Sequence, residues 1–284
     1  MIKGCFLLFL SVFLTAGVFA ATSSDSTQTP RSTLTLAAIY GNNANYYGQT
    51  AEQRLPYILT NASYRLKGGL YFSAGSYKLL NVGGSVISEF DISTGYEFNF
   101  SEKFSGSAGY TRSFFAKNSP LLQAANENTL STSLAYDFGV FKTGLSGYYA
   151  FGTQNDFFLS FVTSKTLNLG SLGKKDFITL DPGIEVVGGT LHYLEEYIVR
   201  RDRQGVGGLL PPGPLNPYRD QYYTMTRDAS SFDLLSYNAN LALGYNRSNY
   251  LIETSWQLTA LGKNISETGT KARSFFNVSF YYQF

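Results

Sequence analysis

The sequence has one cysteine, one histidine, one tryptophan and only 8 prolines among its 284 residues. The single cysteine, Cys5, lies in an apolar stretch at the amino terminus, so the rest of the chain forms no disulfide and offers no thiol chemistry. It also has no clustered His and Cys ligands for zinc and no spaced carboxylates typical of a calcium site. We therefore expect neither a metal site nor a cofactor.

A strong charge of one sign is lacking as well. The chain carries 22 Lys and Arg against 20 Asp and Glu, a formal net charge of +2, which does not indicate a nucleic-acid partner. Beyond Ala21 no apolar run is long enough for a transmembrane helix, and the uncharged run from Ser32 to Ala51 is rich in Asn, Gln, Thr and Tyr.

Residues 1–20 are organised as a secretory signal peptide. Lys3 supplies the positive charge, Cys5 to Phe13 form a short apolar core, and Val18-Phe19-Ala20 places small residues at the −3 and −1 positions. Cleavage is expected before Ala21. Residues 21–31 are rich in Ser and Thr, and we expect them to be a disordered lead-in to a domain that spans residues 32–284.

What the chain has in quantity is aromatic residues, 22 Tyr and 23 Phe, arranged in one repeating pattern. Runs of about ten residues alternate between apolar and polar side chains, as expected for transmembrane β-strands. In the clearest run, Glu89 to Phe100, the even positions are mostly aromatic or apolar and the odd positions are polar or Gly. The pattern predicts twelve strands, at 32–41, 54–66, 69–78, 87–100, 103–115, 128–138, 140–151, 155–167, 176–188, 232–246, 249–261 and 272–284.

The connections between these strands alternate in length. Tight turns are expected at Lys67-Gly68, Ser101-Glu102, Gly139 and Arg247-Ser248, and longer loops at 42–53, 116–127, 189–231 and 262–271. Short turns at one end and longer loops at the other are typical of a barrel that crosses a bilayer with its short turns in the periplasm.

The last strand has a continuous apolar face that ends at the carboxyl terminus and consists of Phe276, Val278, Phe280, Tyr282 and Phe284. The pattern resembles the closing strand of bacterial outer-membrane β-barrels, which the barrel-assembly machinery reads as an assembly signal. The resemblance implies an all-β, antiparallel up-and-down barrel of about twelve strands in the outer membrane of a Gram-negative cell. Its partners would be outer-membrane lipid, the assembly machinery and small solutes or ions, with a monomer the favoured oligomeric state.

Strand alternation also assigns side chains to the lumen, the space that the strands enclose. We expect the following to point inward: Glu89, Asp91, Glu97, Asp137, Asp181, Glu185 and Glu253, opposed by Arg65 and Lys142. Charges facing lipid are costly, which favours this inward assignment. An open lumen of this kind would prefer cations. Alternatively, the same residues form a hydrogen-bonded plug in a closed barrel.

The longest predicted loop, residues 190–231, mixes aromatic and basic residues suited to stacking on sugars or holding carboxylates. Its ligand candidates are Tyr193, Tyr197, Arg200, Arg201, Arg203, Tyr218 and Arg219. The alternative is a surface loop without a ligand.

Catalysis has little support. An outer-membrane phospholipase carries its nucleophilic Ser two positions after its His, and here Leu194 follows His192 at that distance. We therefore expect a barrel that passes or binds small solutes and is not an enzyme. The alternatives are a closed structural or adhesion barrel that acts through its external loops and, less favoured, an outer-membrane hydrolase.

Overall fold

The computed structural model describes residues 31–45, 47, 50, 54–81, 87–115, 126–152, 155–200, 222–263 and 272–284, with the backbone alone at 191–200 and 222–230. The expected signal peptide and residues 21–30 of the expected lead-in lie outside these residues, so their assignment stays a prediction. No helix in the described part of the chain is long and apolar enough to cross a membrane.

The described residues form thirteen β-strands. They are β1 (Thr33–Gly41), β2 (Tyr57–Arg65), β3 (Leu70–Leu79), β4 (Glu89–Asn99), β5 (Phe104–Phe115), β6 (Asn128–Asp137), β7 (Lys142–Phe151), β8 (Asn155–Ser164), β9 (Leu167–Gly170), β10 (Asp176–Arg200), β11 (Tyr222–Arg247), β12 (Tyr250–Leu261) and β13 (Arg273–Gln283).

Antiparallel neighbours pair around a closed ring. Each strand from β1 to β7 pairs with the strand that follows it in the chain. In addition, β13 pairs with β1, and β10 pairs with β11. Strands β8 and β9 pair one after the other with β10, so together they fill a single position in the ring. The structure therefore confirms the expected antiparallel up-and-down barrel with twelve strand positions.

The outer face of the barrel is apolar. Large side chains alternate with less exposed ones along each strand and leave Phe72, Ile92, Phe161 and Leu243 about half exposed. A closed ring satisfies the backbone hydrogen bonds that lipid cannot, and an apolar belt is the surface that lipid covers. This architecture confirms the predicted class, a barrel of the outer-membrane type, and with it the outer-membrane location.

The connections divide the barrel into two ends. The turns after β2, β4, β6, β9 and β11 define the short-turn end, and the connections after β1, β3, β5, β7 and β12 define the long-loop end. A tight turn is present at Gly139, but it spans residues 138–141 and not the single residue predicted; Gly139 has a φ of 84°, and its N–H donates to Asp137 Oδ1 at 2.7 Å. The right-handed backbone that other residues prefer would not close this turn.

Strands β10 and β11 extend further than predicted. β10 continues from Gly188 to Arg200 and β11 begins at Tyr222, so the predicted loop at 189–231 starts and ends as strand. Residues 190–200 are rich in residues that favour β-strands, but their polar and apolar side chains do not alternate. The two-residue pattern therefore predicts an end of this strand that is too early. The chain divides into two compact units, 190–232 and the remainder.

Candidate functional site

Two of the acidic residues expected in the lumen lie buried together near the long-loop end. Glu89 and Asp91 are adjacent on the inner face of β4, and Asp91 Oδ1 accepts a hydrogen bond from Ser113 Oγ at 2.7 Å. Glu89 is 4% and Asp91 8% exposed, so neither side chain is freely accessible from the lumen.

Two further acids form a second group on the opposite wall. Glu185 of β10 accepts hydrogen bonds from Ser160 Oγ at 2.5 Å and from Asn238 Nδ2 at 3.1 Å. Asp156 of β8, which the sequence analysis missed, is buried and accepts from Asn126 Nδ2 at 2.6 Å. The sequence does indicate that Asp156 points inward. It occupies an even position in a strand whose odd positions from Phe157 to Phe161 are all large and apolar.

The remaining lumen charges lie toward the short-turn end and are much more accessible. Arg65 Nε is 2.6 Å from Glu97 Oε2, and Lys142 Nζ is 3.6 Å from Asp137 Oδ2, with all four side chains 38–45% exposed. The two basic residues are therefore each paired with one acid.

Asp181 and Glu253 differ from these pairs. Asp181 Oδ1 accepts from Thr166 Oγ1 at 2.5 Å, and Glu253 lies on β12. Neither belongs to an ion pair among the described side chains. Their negative charges are therefore not offset by a direct cationic partner within that part of the chain.

A residue from the first long loop fills the lumen near the second acidic group. Tyr47, between β1 and β2, is only 7% exposed, and its ring stacks on Phe158 of β8 with 4.5 Å between ring centroids and 26° between ring planes. In the ring of strands β1 and β8 lie five positions apart by the shorter way, so Tyr47 reaches nearly to the opposite wall. The lumen is consequently narrowed toward its long-loop end.

The surroundings of Tyr47 are both apolar and acidic. Burial raises the pKa of its hydroxyl well above the usual value, and the nearby carboxylates of Glu185 and Asp156 raise it further. The hydroxyl is therefore protonated at neutral pH. Ala44 and Asn45 of the same connection are buried too, and Asn43 Oδ1 accepts from Leu55 N–H at 2.7 Å.

The loop candidates and the closing strand fall in different parts of the structure. Tyr193, Tyr197 and Arg200, like His192, lie within β10, whereas Arg201, Arg203, Tyr218 and Arg219 lie outside the described residues. The closing strand β13 pairs with β12 and β1, and its outer face carries Phe276, Val278, Phe280 and Tyr282, with Phe284 following it. In the described part of the chain no three His, Cys, Asp or Glu side chains come together in a group that could hold a metal ion.

No protein-family model matches the chain, and no curated protein does. Among solved structures it is similar to the KdgM porin, with a TM-score of 0.48 and 11% identity over 88% of this chain and 99% of that one. It is also similar to the NanC porin, with a TM-score of 0.44 and 8% identity over 88% of this chain and 98% of that one. A third similar structure is LpxR from Salmonella typhimurium, with a TM-score of 0.43 and 10% identity over 87% of this chain and 99% of that one. Such low identities leave the function to be argued from the residues of this chain.

Proposed function

We propose that the protein is an outer-membrane channel for small hydrophilic solutes, charged at the mouth of its short-turn end and narrowed toward the long-loop end. The observation that supports this proposal most is the accessibility of charged side chains at that mouth, where Arg65, Glu97, Asp137 and Lys142 are 38–45% exposed. Charges with this exposure are hydrated, and a hydrated entrance to a closed barrel favours a route for solutes.

We further propose that the channel prefers cations. Among the described residues, the inner face carries eight acids and three bases: Glu89, Asp91, Glu97, Asp137, Asp156, Asp181, Glu185 and Glu253 against Arg65, Lys142 and Arg273. The ion pairs reduce this excess but do not cancel it. Low-dielectric walls focus the remaining negative field and concentrate cations in the pore.

A planar-bilayer recording of the purified barrel under a KCl gradient tests both statements. We expect discrete conductance steps and a reversal potential whose sign shows that cations cross more readily than anions. This preference should weaken with added salt, since the screening length falls from about 10 Å at 0.1 M to about 3 Å at 1 M. A preference for anions would reject the role of the acidic residues and leave the channel proposal standing.

A second candidate function is a closed barrel that acts through its external loops. It is favoured by the dense packing of the inner face near the long-loop end, where Tyr77 and Phe275 are each 1% exposed and Thr259 is fully buried. Under this alternative the same recording shows no steps at any voltage, although the protein is folded and inserted.

A further inference from the structure

The ring of Tyr47 occupies a site that its own loop does not build. The stacking surface is Phe158 of β8, whose neighbours on the same inner face are Asp156 and Ser160, and Ser160 donates a hydrogen bond to Glu185 of β10. All of these belong to the strand wall, where pairing with neighbouring strands fixes the backbone. The site is therefore a property of the barrel, and Tyr47 is the group that fills it.

The backbone of Tyr47 shows that side-chain placement governs its conformation. Its φ is 48°, and it is the one residue other than glycine with a positive φ in the described part of the chain. A residue with a Cβ rarely adopts this region, and such conformations persist where surrounding contacts over-determine them. The contacts of the ring thus outweigh the local preference of the backbone.

The wall of the site combines a flat apolar surface with fixed hydrogen-bond acceptors. Phe158 offers its face for offset stacking. Glu185 is held by Ser160 and Asn238, and Asp156 is held by Asn126, so both carboxylates are oriented before any ligand arrives. A phenol supplies the complement of these features, an aromatic face and one hydroxyl donor.

We propose that this part of the lumen is a binding site for small phenolic solutes, in which Tyr47 is the built-in occupant that an incoming phenol replaces. The role of the site in passage rests on the proposed channel function, whereas binding itself does not. Tyr47 thereby narrows this part of the lumen when no solute is present.

The test is chemical replacement of the missing side chain. In Tyr47→Ala, p-cresol restores the atoms that were removed, and toluene restores the ring without its hydroxyl. We expect Tyr47→Ala to unfold at a lower temperature than the wild type, as measured by the heat-dependent mobility of the barrel in detergent. Saturating p-cresol should recover most of that loss, and toluene should require at least tenfold higher concentration for the same recovery.

Tyr40→Ala is the matched control, because Tyr40 is also a tyrosine of this region but lies on the outer face of β1. Its unfolding temperature should not respond to p-cresol. Equal stabilisation of both variants would show non-specific partitioning into detergent and overturn the proposal, as would no stabilisation of folded Tyr47→Ala. If Tyr47→Ala does not assemble, Tyr47→Leu, which keeps an apolar side chain, takes its place with the same expectations.

A parallel conductance measurement separates this proposal from the channel function. Recovery of stability by p-cresol in a barrel that never conducts would leave the binding site standing and reject the channel. Conduction without any effect of p-cresol on Tyr47→Ala would reject the binding site alone. In a conducting Tyr47→Ala barrel, p-cresol should lower the current at concentrations that also stabilise the fold.

Discussion

Asp181 and Glu253 are the charges through which ion preference is most directly tested. Both lie on the inner face, and neither belongs to an ion pair within the described residues, in contrast to Glu97 and Asp137. Replacing them with the isosteric amides, Asp181→Asn and Glu253→Gln, removes two negative charges and retains shape and hydrogen-bonding capacity. We expect the double variant to lose most of its preference for cations.

The size of the effect follows from the Coulomb energy of an ion in the lumen. A unit charge about 6 Å from a permeating ion in water contributes about 0.7 kcal/mol, which changes the local ion concentration about threefold. Two such charges would change it about tenfold at low salt. Screening within about 10 Å at 0.1 M salt reduces the change to several-fold, and at 1 M it should nearly vanish.

The assay is the reversal potential in a KCl gradient, recorded for the wild type and the double variant at both salt concentrations. Glu102→Gln is the control. Glu102 is exposed in the turn between β4 and β5, so this substitution removes one acid without changing the lumen. We expect the reversal potential of the double variant to move toward zero and that of Glu102→Gln to match the wild type. An unchanged reversal potential in the double variant would refute the assignment of Asp181 and Glu253 to the conducting path.

Two further predictions concern the barrel wall. A Cβ added at Gly95 would lie 2.4 Å from the Tyr71 hydroxyl oxygen, so Gly95→Ala should cost about 1–3 kcal/mol of stability. The matched change Gly147→Ala, whose nearest neighbour atom would be 3.5 Å away, should be nearly neutral in urea-unfolding measurements; equal losses would contradict this packing. Val278→Lys places a charge on the outer face of β13 and should cost about 2–4 kcal/mol near the bilayer midplane. Ser248→Lys in an exposed turn should have no effect on folded yield, and full assembly of both variants would argue against a lipid-facing β13.

Most strand positions could be predicted because lipid and lumen impose opposite demands on alternate residues. β4 was expected at 87–100 and is found at Glu89–Asn99, and β13 was expected at 272–284 and is found at Arg273–Gln283. In such strands every second side chain faces lipid, so the two-residue period is strong. Where that period fades, as in residues 190–200, the strand boundary was placed too early.

The interruption between β8 and β9 has a cause that was visible in the sequence. β8 ends at Ser164, which pairs with Gly183, and β9 begins at Leu167, which pairs with Leu180. Pro182 lies in β10 between these two paired regions. Since proline has no N–H to donate, one ladder hydrogen bond is missing at this position, although the Pro182 carbonyl still accepts from Lys165 N–H at 3.0 Å. The missing bond accounts for the break between β8 and β9.

The placement of Tyr47 could not be predicted in the same way. The segment between β1 and β2 contains two adjacent tyrosines, Tyr46 and Tyr47, and no local pattern indicates that Tyr47 enters the lumen. Its stacking partner, Phe158, is on a strand far along the chain and becomes its neighbour only when the barrel closes. Contacts of this kind depend on the dimensions of the closed ring, which strand periodicity does not contain.

The acidic residues of the lumen, which strand alternation treats as one set, form two sets with different physical roles. Glu89 and Asp91 are buried, and Asp91 accepts a hydrogen bond from Ser113, so their main contribution is to the packing and hydrogen bonding of the long-loop end. Asp181 and Glu253 have no ionic partner among the described side chains, and their charge acts on whatever ion is in the lumen. An unpaired charge is costly where water is excluded and inexpensive where water remains. Under the proposed function, ion preference and narrowing of the pore belong to different ends of the same barrel, so substitutions at one end need not disturb the other.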